Sequence, residues 1–424
     1  MNRILFRDAR VWDGSGAAAY PADVLIEGGR IRAIATQRGQ LEAAGARVIE
    51  ARGMTLMPGM VEGHAHITFI NGARPTDIGD TPPEEHTLIA ARNARVLLDH
   101  GFTSAYSAAS AKLRIDVVIR NAIDMGELPG PRMRACGPEI TVTGGLGDER
   151  RAHQFRDSFA MVADGPVEVM KLARLCVREG VDSIKLNISG DDHTRTGALP
   201  RTVMTEDEIR AGVTAAHDYH RMVNAHCRAA ESVKRAVRCG VDVIYHCEHA
   251  DEEALDLLES VKDRVFAGPA IGLLHAAVHE SPEGALHQGV RHGITLGLEA
   301  AARTYPEMKK RGIRVVIGGD YGFARTPHGE NARDIAHFVN YLGYSPAEAL
   351  VCATRHGAAL MGLGAEAGQI REGFLADMLL VDGDPVADVR ILQQPERLVA
   401  ILKGGEVHKL DHAALERHGS RAAE

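Results

Sequence analysis

The first 57 residues carry short apolar runs set off by turns: Ile4-Leu5-Phe6, Val24-Leu25-Ile26, Ile31-Arg32-Ala33-Ile34 and Val48-Ile49-Glu50. Runs of this length predict strands, and Glu27-Gly28-Gly29-Arg30 predicts a hairpin turn between two of them. A small antiparallel unit cannot bury both faces alone. Residues 366–424 offer the complement: strands at Gly368-Gln369-Ile370, Ala376–Val381 and Val399–Lys403, a turn at Gly383-Asp384-Pro385, and a last hairpin at Gly404-Gly405-Glu406. The two ends of the chain are expected to form one small β-sandwich, with a polar tail after Asp411 that frays or serves assembly.

Between them the pattern changes. Strand candidates at Val61–His66, Phe102–Tyr106, Arg132–Cys136, Asp182–Asn187, Met222–His226, Asp242–His246, Arg264–Ala267 and Arg314–Gly319 alternate with helical stretches. Glu84–His100 runs into Gly101, Thr205-Glu206-Asp207-Glu208 is a capping box opening a helix to His220, and Ala230–Cys239 is stopped by Gly240. Eight such units predict an α/β fold, a (β/α)8 TIM barrel over residues 58–365. Insertions at about 137–165, 188–204, 268–293 and 321–330 follow strands, so they fall on the face where barrel active sites form. Gly144–Gly147 and Gly190–Asp192 mark loop tips.

Composition narrows the function. The chain has 424 residues, 45% hydrophobic and 25% charged, an ordinary globular balance. A net charge of −8 and few aromatics argue against nucleic acid. No leader or apolar span of membrane length is visible, and six cysteines without a Cys-x-x-Cys pair fit a reducing, cytoplasmic setting. A homo-oligomer acting on a small molecule is expected, with no membrane or nucleic-acid partner.

The candidate chemistry collects at strand ends. His64 and His66 lie at i and i+2 and share a strand face, so they can chelate one ion. Lys185 belongs to the polar set Ser183, Lys185, Asn187 and Ser189, which faces the barrel axis. Lys is seldom buried without a role. A structural Lys–carboxylate pair is the plain alternative to a neutral amine that adds carbon dioxide and, as a carbamate, bridges two cations. His226 and His246 end consecutive strands. Asp320 closes the apolar run Val315-Val316-Ile317-Gly318-Gly319, where an unpaired carboxylate is costly; an N-cap is the plainer reading. Nitrogen and oxygen donors without thiolate fit Zn2+, two per chain, or Mn, Co or Ni. Asp320 doubles as the acid/base. Arg228, two residues past His226, is a candidate grip for a substrate carboxylate against the alternative of an ion pair with Glu231 or Glu248, with Tyr245 and His328 as further candidates.

These residues resemble the metal-dependent amidohydrolase superfamily. Its binuclear, carboxylated-lysine type is matched by His64-x-His66, Lys185, His226, His246 and Asp320. The segments Pro21–Ile31, Leu56–His66 and Gly373–Pro385 are similar to the family's sandwich strands and first barrel strand. Ser183-Ile184-Lys185, His226-Cys227-Arg228 and Pro327–Asn331 resemble the imidazolonepropionase-like and Xaa-Pro-dipeptidase-like group, which includes ochratoxin-type amidases and phenylurea hydrolases. Thr143-Gly144-Gly145-Leu146 departs from it, with Leu where relatives often carry His. Asn187 is an alternative ligand in a single-metal variant. The resemblance implies hydrolysis of an amide-type C–N bond by a metal-activated water. A deaminase, a cyclic-amide hydrolase or a non-catalytic scaffold are the rival readings; a deaminase would need a Glu beside the strand-five His, and Glu231 is poorly placed for that.

Overall fold

The computed structural model describes residues 3–156, 158–191 and 201–421. Both ends of the chain enter one eight-stranded sheet. Its N-terminal members are Arg3–Val11, Tyr20–Glu27, Arg30–Ala35, Arg47–Glu50 and Thr55–Pro58, and its C-terminal members are Met378–Val381, Leu398–Lys403 and Glu406–Leu410. The seam is antiparallel, with Leu379 opposite Met57 and Leu380 opposite Leu56. Beyond the last paired strand the sheet curls back, because Ile31 N donates to Phe374 O and Ala376 N to Gly29 O. Alternation explains how the sheet sits. Met378 and Leu380 pack into the sheet's own core with Ile4, Phe6 and Val24, whereas Leu379 and Val381 pack into the large central core.

The central chain is parallel throughout. Met60–Ala65 pairs Phe102–Ser107, which pairs Arg132–Arg134. One residue later Cys136–Thr141 starts a seven-stranded sheet that continues through Ser183–Asn187, Met222–Ala229, Val243–His249, Phe266–Gly268 and Arg314–Val315, with Ala160–Val162 at its edge. Gly63 N donates to Ile317 O at 3.0 Å and links the first of these strands to the run after the last. This parallel α/β arrangement fits a TIM barrel. Glycine is required at that junction: a Cβ on Gly63 would stand 2.6 Å from Ile317 O, and one on Gly318 would stand 2.4 Å from His64 Cβ.

The helical punctuation matches expectation closely. Thr205 and Glu208 form the reciprocal capping box of helix Glu206–His217, and helix Ala230–Cys239 ends on Gly240 in the left-handed region, φ +89°.

Three expectations need correction. The third strand runs on to Thr141, so the stretch after Cys136 is strand and not insertion. Pro138 disguised it; the register between Cys136–Glu139 and Ser183–Lys185 shifts there by one residue, a bulge that tolerates a residue without an N–H. The stretch 268–293 contains helix Ile271–His279 and the start of helix Gln288–Lys310. Ile271–His279 is apolar almost all round, which hides its period. The tail is ordered as helix His412–Arg421, held by His418 to Asp382 at 2.9 Å. Of the loop predicted after the fourth strand, residues 192–200, Asp192 included, lie outside the described residues.

Candidate metal centre

Parity along the strands aims the histidines. His64 and His66 sit at the end of Met60–Ala65, both buried. His66 Nε2 lies 3.2 Å and His64 Nε2 3.9 Å from Asp320 Oδ1, and one donor atom of each of the three falls within 4.8 Å of the others. His246 joins from Val243–His249 with its ring 5.5 Å from that of His64, and His226 from Met222–Ala229 with its ring 4.1 Å from His246. Lys185 is buried on Ser183–Asn187, its Nζ 4.6 Å from the Tyr245 ring centroid. Tyr245 itself stacks on His64 at 3.9 Å. Of the six predicted ligand residues, His64, His66 and Asp320 bring their donor atoms together, and His246, His226 and Lys185 lie around them at the same end of the parallel strands.

Two of these residues are held in unusual backbone. His246 has φ +77° and Asp320 φ +60°, with Cys247 also positive. Such conformations cost on the order of 1–3 kcal/mol each and cluster where a side chain must be aimed against local preference.

Electrostatics prepares the donors. Burial pulls His226 down to about 3 and lowers His64 and His246 well below the usual range, so all three imidazoles are neutral and keep a lone pair. Burial also lowers the Lys185 ammonium, against the opposing charges of Glu139 and Asp320. For Asp320 burial pushes upward, but its close neighbours His64, His66 and Lys185 outweigh it and hold the carboxyl below its ordinary value. The fit to metal shows in the unmatched atoms. Among the described residues, both ring nitrogens of the fully buried His246, and Nδ1 of His64, find no hydrogen-bond partner. Buried polar atoms are ordinarily paired. Neutral imidazoles, an ionised carboxylate and an amine whose pKa is lowered by burial are the donor set a divalent cation of the Zn or Mn kind accepts. His66 Nδ1 lies 3.1 Å from Ala109 O, a backbone contact that fixes the ring and leaves Nε2 facing Asp320.

The family model described as the Amidohydrolase family matches residues 55–409. The chain belongs to the amidohydrolase family. Within it, the sequence is 26% identical over 386 residues to ochratoxinase of Aspergillus niger, covering 84% of this chain and 75% of that one. It is 25% identical over 390 residues to imidazolonepropionase of Symbiobacterium thermophilum, covering 88% and 85%. The crystal structure of a Xaa-Pro dipeptidase with bound methionine superposes with a TM-score of 0.82 at 26% identity, over 96% of this chain and 100% of that one. The predicted kinship with the imidazolonepropionase-like and Xaa-Pro-dipeptidase-like amidohydrolases stands.

The residues expected to hold substrate are placed less simply. Arg228 is fully buried; its Nε donates to Asp191 at 2.9 Å and its Nη1 to Glu248. Glu248 was the partner expected of an ion-paired arginine, but the pair is interior and not at the surface. The Tyr245 hydroxyl donates to Gly63 O at 2.6 Å, so the ring and not the hydroxyl meets the site. His328 is within 2.9 Å of Phe69 O, where it pins the loop after the first strand. Asn187 donates to Glu139 and to Leu146 O, which occupies its amide nitrogen. Over the mouth, Phe69 stacks on His66 at 4.1 Å and meets Phe159 and Phe323 edge-on, an apolar wall drawn from three loops.

Three buried acids were missed. Glu139 aligns with Lys185 across neighbouring strands. Glu62 accepts from Asn331 and from His64 N, and burial raises it to about 8. Its parity with His64 and His66 was the available signal. Asp191 pairs Arg228 and approaches His226 Nε2 at 3.7 Å.

Proposed function

We propose that the chain is a metal-dependent hydrolase that cleaves an amide-type C–N bond in a dipeptide, an N-acyl amino acid, or an aryl amide or urea. The observation that carries this is the meeting of His64, His66 and Asp320 within ligand distance, beside His246 whose ring nitrogens find no partner among the described residues. In this reading residues 58–365 close into a (β/α)8 barrel, and residues 1–57 with 366–424 form the β-sandwich beside it. His64, His66, His226, His246, Asp320 and a carboxylated Lys185 would hold two Zn2+ ions, with Mn, Co or Ni as substitutes. Bound there, such cations lower the pKa of water and polarise a carbonyl.

The protein's own groups do the rest. Asp320, held ionised, takes the proton of the attacking water and returns it to the leaving nitrogen. His66, fixed from Ala109, keeps that carboxylate aimed. Phe69, Phe159 and Phe323 exclude bulk water and favour a substrate with an apolar flank. Arg228, Tyr245 and His328 would be the side chains that meet substrate, Arg228 being the grip for a substrate carboxylate when Asp191 yields it. A cytoplasmic homo-oligomer is the setting we propose; among the described residues no helix is long and apolar enough to cross a membrane. A cyclic amide is the second substrate class to assay, since the imidazolonepropionase likeness spans most of the chain. The test is a hydrolysis screen over dipeptides, N-acyl amino acids, aryl ureas and lactams with added Zn2+ or Mn2+. Release of a carboxylate and an amine from at least one class is expected. Deamination of a purine with no amide cleavage would overturn the proposal.

A further inference from the structure

Three histidines outside the centre described above lie close to one another on two flanking helices. His275 and His279 lie one turn apart on Ile271–His279, and His337 faces them from Arg333–Tyr341. The ring centroids of His275 and His279 are 4.9 Å apart, and those of His275 and His337 are 4.3 Å apart. Side chains at i and i+4 project from the same side of a helix, the spacing by which two histidines of one helix grip one ion. With metal–nitrogen bonds of ~2.0–2.1 Å, two imidazole centroids around a tetrahedral ion stand roughly 5 Å apart. The observed rings are tilted by 43° and 32° and do not yet converge on one point. His279 is exposed, so it leaves the cluster open for an ion to enter.

The polar accounting points the same way. His337 is 6% exposed, and among the described residues its buried Nδ1 finds no hydrogen bond, nor does the buried Nδ1 of His275. Glu280 Oε1 lies 3.4 Å from His275 Nδ1. Arg333 pairs with Glu280, and that cation opposes a second one; but Arg333 also holds Glu330 at 2.6 Å, so it keeps a partner if Glu280 turns to the ring.

We propose that His275, His279 and His337, with Glu280 in the fourth position, form a second metal site for a borderline divalent cation such as Zn2+, Cu2+ or Ni2+. Imidazole is the donor these ions share. The ion would brace the backbone behind Asp320: Leu273 N donates to Gly319 O at 2.9 Å, and Asp334, from the other helix, accepts from Gly318 N at 2.9 Å and Gly272 N at 3.2 Å.

The experiment uses the full chain carrying His64→Ala and His66→Ala, stripped of metal and titrated with Zn2+ against a chromophoric chelator. Adding His279→Ala, at an exposed position, should remove one equivalent or weaken it by roughly tenfold or more, and His337→Phe should do the same. Zn2+ should raise the melting temperature of the His64→Ala/His66→Ala chain and lose that effect in the His279→Ala background. Equal Zn2+ binding and equal thermal gain with and without His279 would overturn the site. Because the reading is metal count and melting, it stands or falls apart from any amide-hydrolase activity.

Discussion

Lys185 and Glu139 lie side by side on neighbouring parallel strands, paired in register, each buried and each shifted toward its neutral form. Burial drives both shifts, and the charge of each partner resists the other's. A neutral Lys185 amine is the state that can take up carbon dioxide. Lys185→Ala should therefore lose at least one bound metal ion and recover part of its activity with bicarbonate or a short carboxylic acid. Metal analysis decides it: two ions per chain in Lys185→Ala would remove the bridging role, and one ion in the native protein would favour the single-metal arrangement.

Asp320→Asn keeps the shape of the side chain and suits the backbone, because Asn tolerates positive φ better than most residues. The fold and much of the metal should survive. Turnover should fall by about 10²–10⁴, the usual contribution of a positioned acid/base. A loss of roughly tenfold or less would move the role elsewhere.

Arg228→Met removes the buried cation that Asp191 and Glu248 share, and breaking such a pair costs about 3–5 kcal/mol. Denaturant unfolding should show it. If Arg228 also grips substrate, the variant should lose a further ~1.5–3 kcal/mol in kcat/KM on a substrate with a free carboxylate relative to its amide. Equal losses on the two substrates would make Arg228 structural only.

How much of this was legible in the sequence varies with how local the signal is. His64-x-His66 declared its geometry through strand parity, and Thr205–Glu208 and Gly240 through capping, because each needs only neighbours in sequence. The convergence of His226, His246 and Asp320 was legible because equivalent strand ends meet at one rim. Glu139 was not, since Gly137 and Pro138 mask the alternation of its strand and its partner lies 46 residues on at Lys185. Arg228 was legible as sharing the face of His226 and as a partner for Glu248, but not as buried, because Asp191 and Glu248 come from other segments and only packing joins them. The His275–His337 cluster was invisible because the period of Ile271–His279 is drowned by its apolar residues.

His217 gives a pH prediction. The Asp242 carboxylate, 2.9 Å from Nε2, raises the imidazole above its ordinary pKa, through a hydrogen bond that outweighs burial. A raised folded pKa stabilises fully below the unfolded value of about 6.5 and loses that stability as pH rises through the folded value. The ring is partly exposed, so the effect should stay within about 1 kcal/mol. The stability advantage of the native protein over His217→Gln should be larger at about pH 5.5 than at about pH 9; an advantage equal at both would contradict the pairing.

The most direct measurement is hydrolysis of an amide substrate by protein stripped of metal and verified metal-free. Activity should be absent, and should return on adding Zn2+, Mn2+ or Co2+ to the native chain but not to His64→Ala/His66→Ala. Full turnover by the verified metal-free protein would contradict the account.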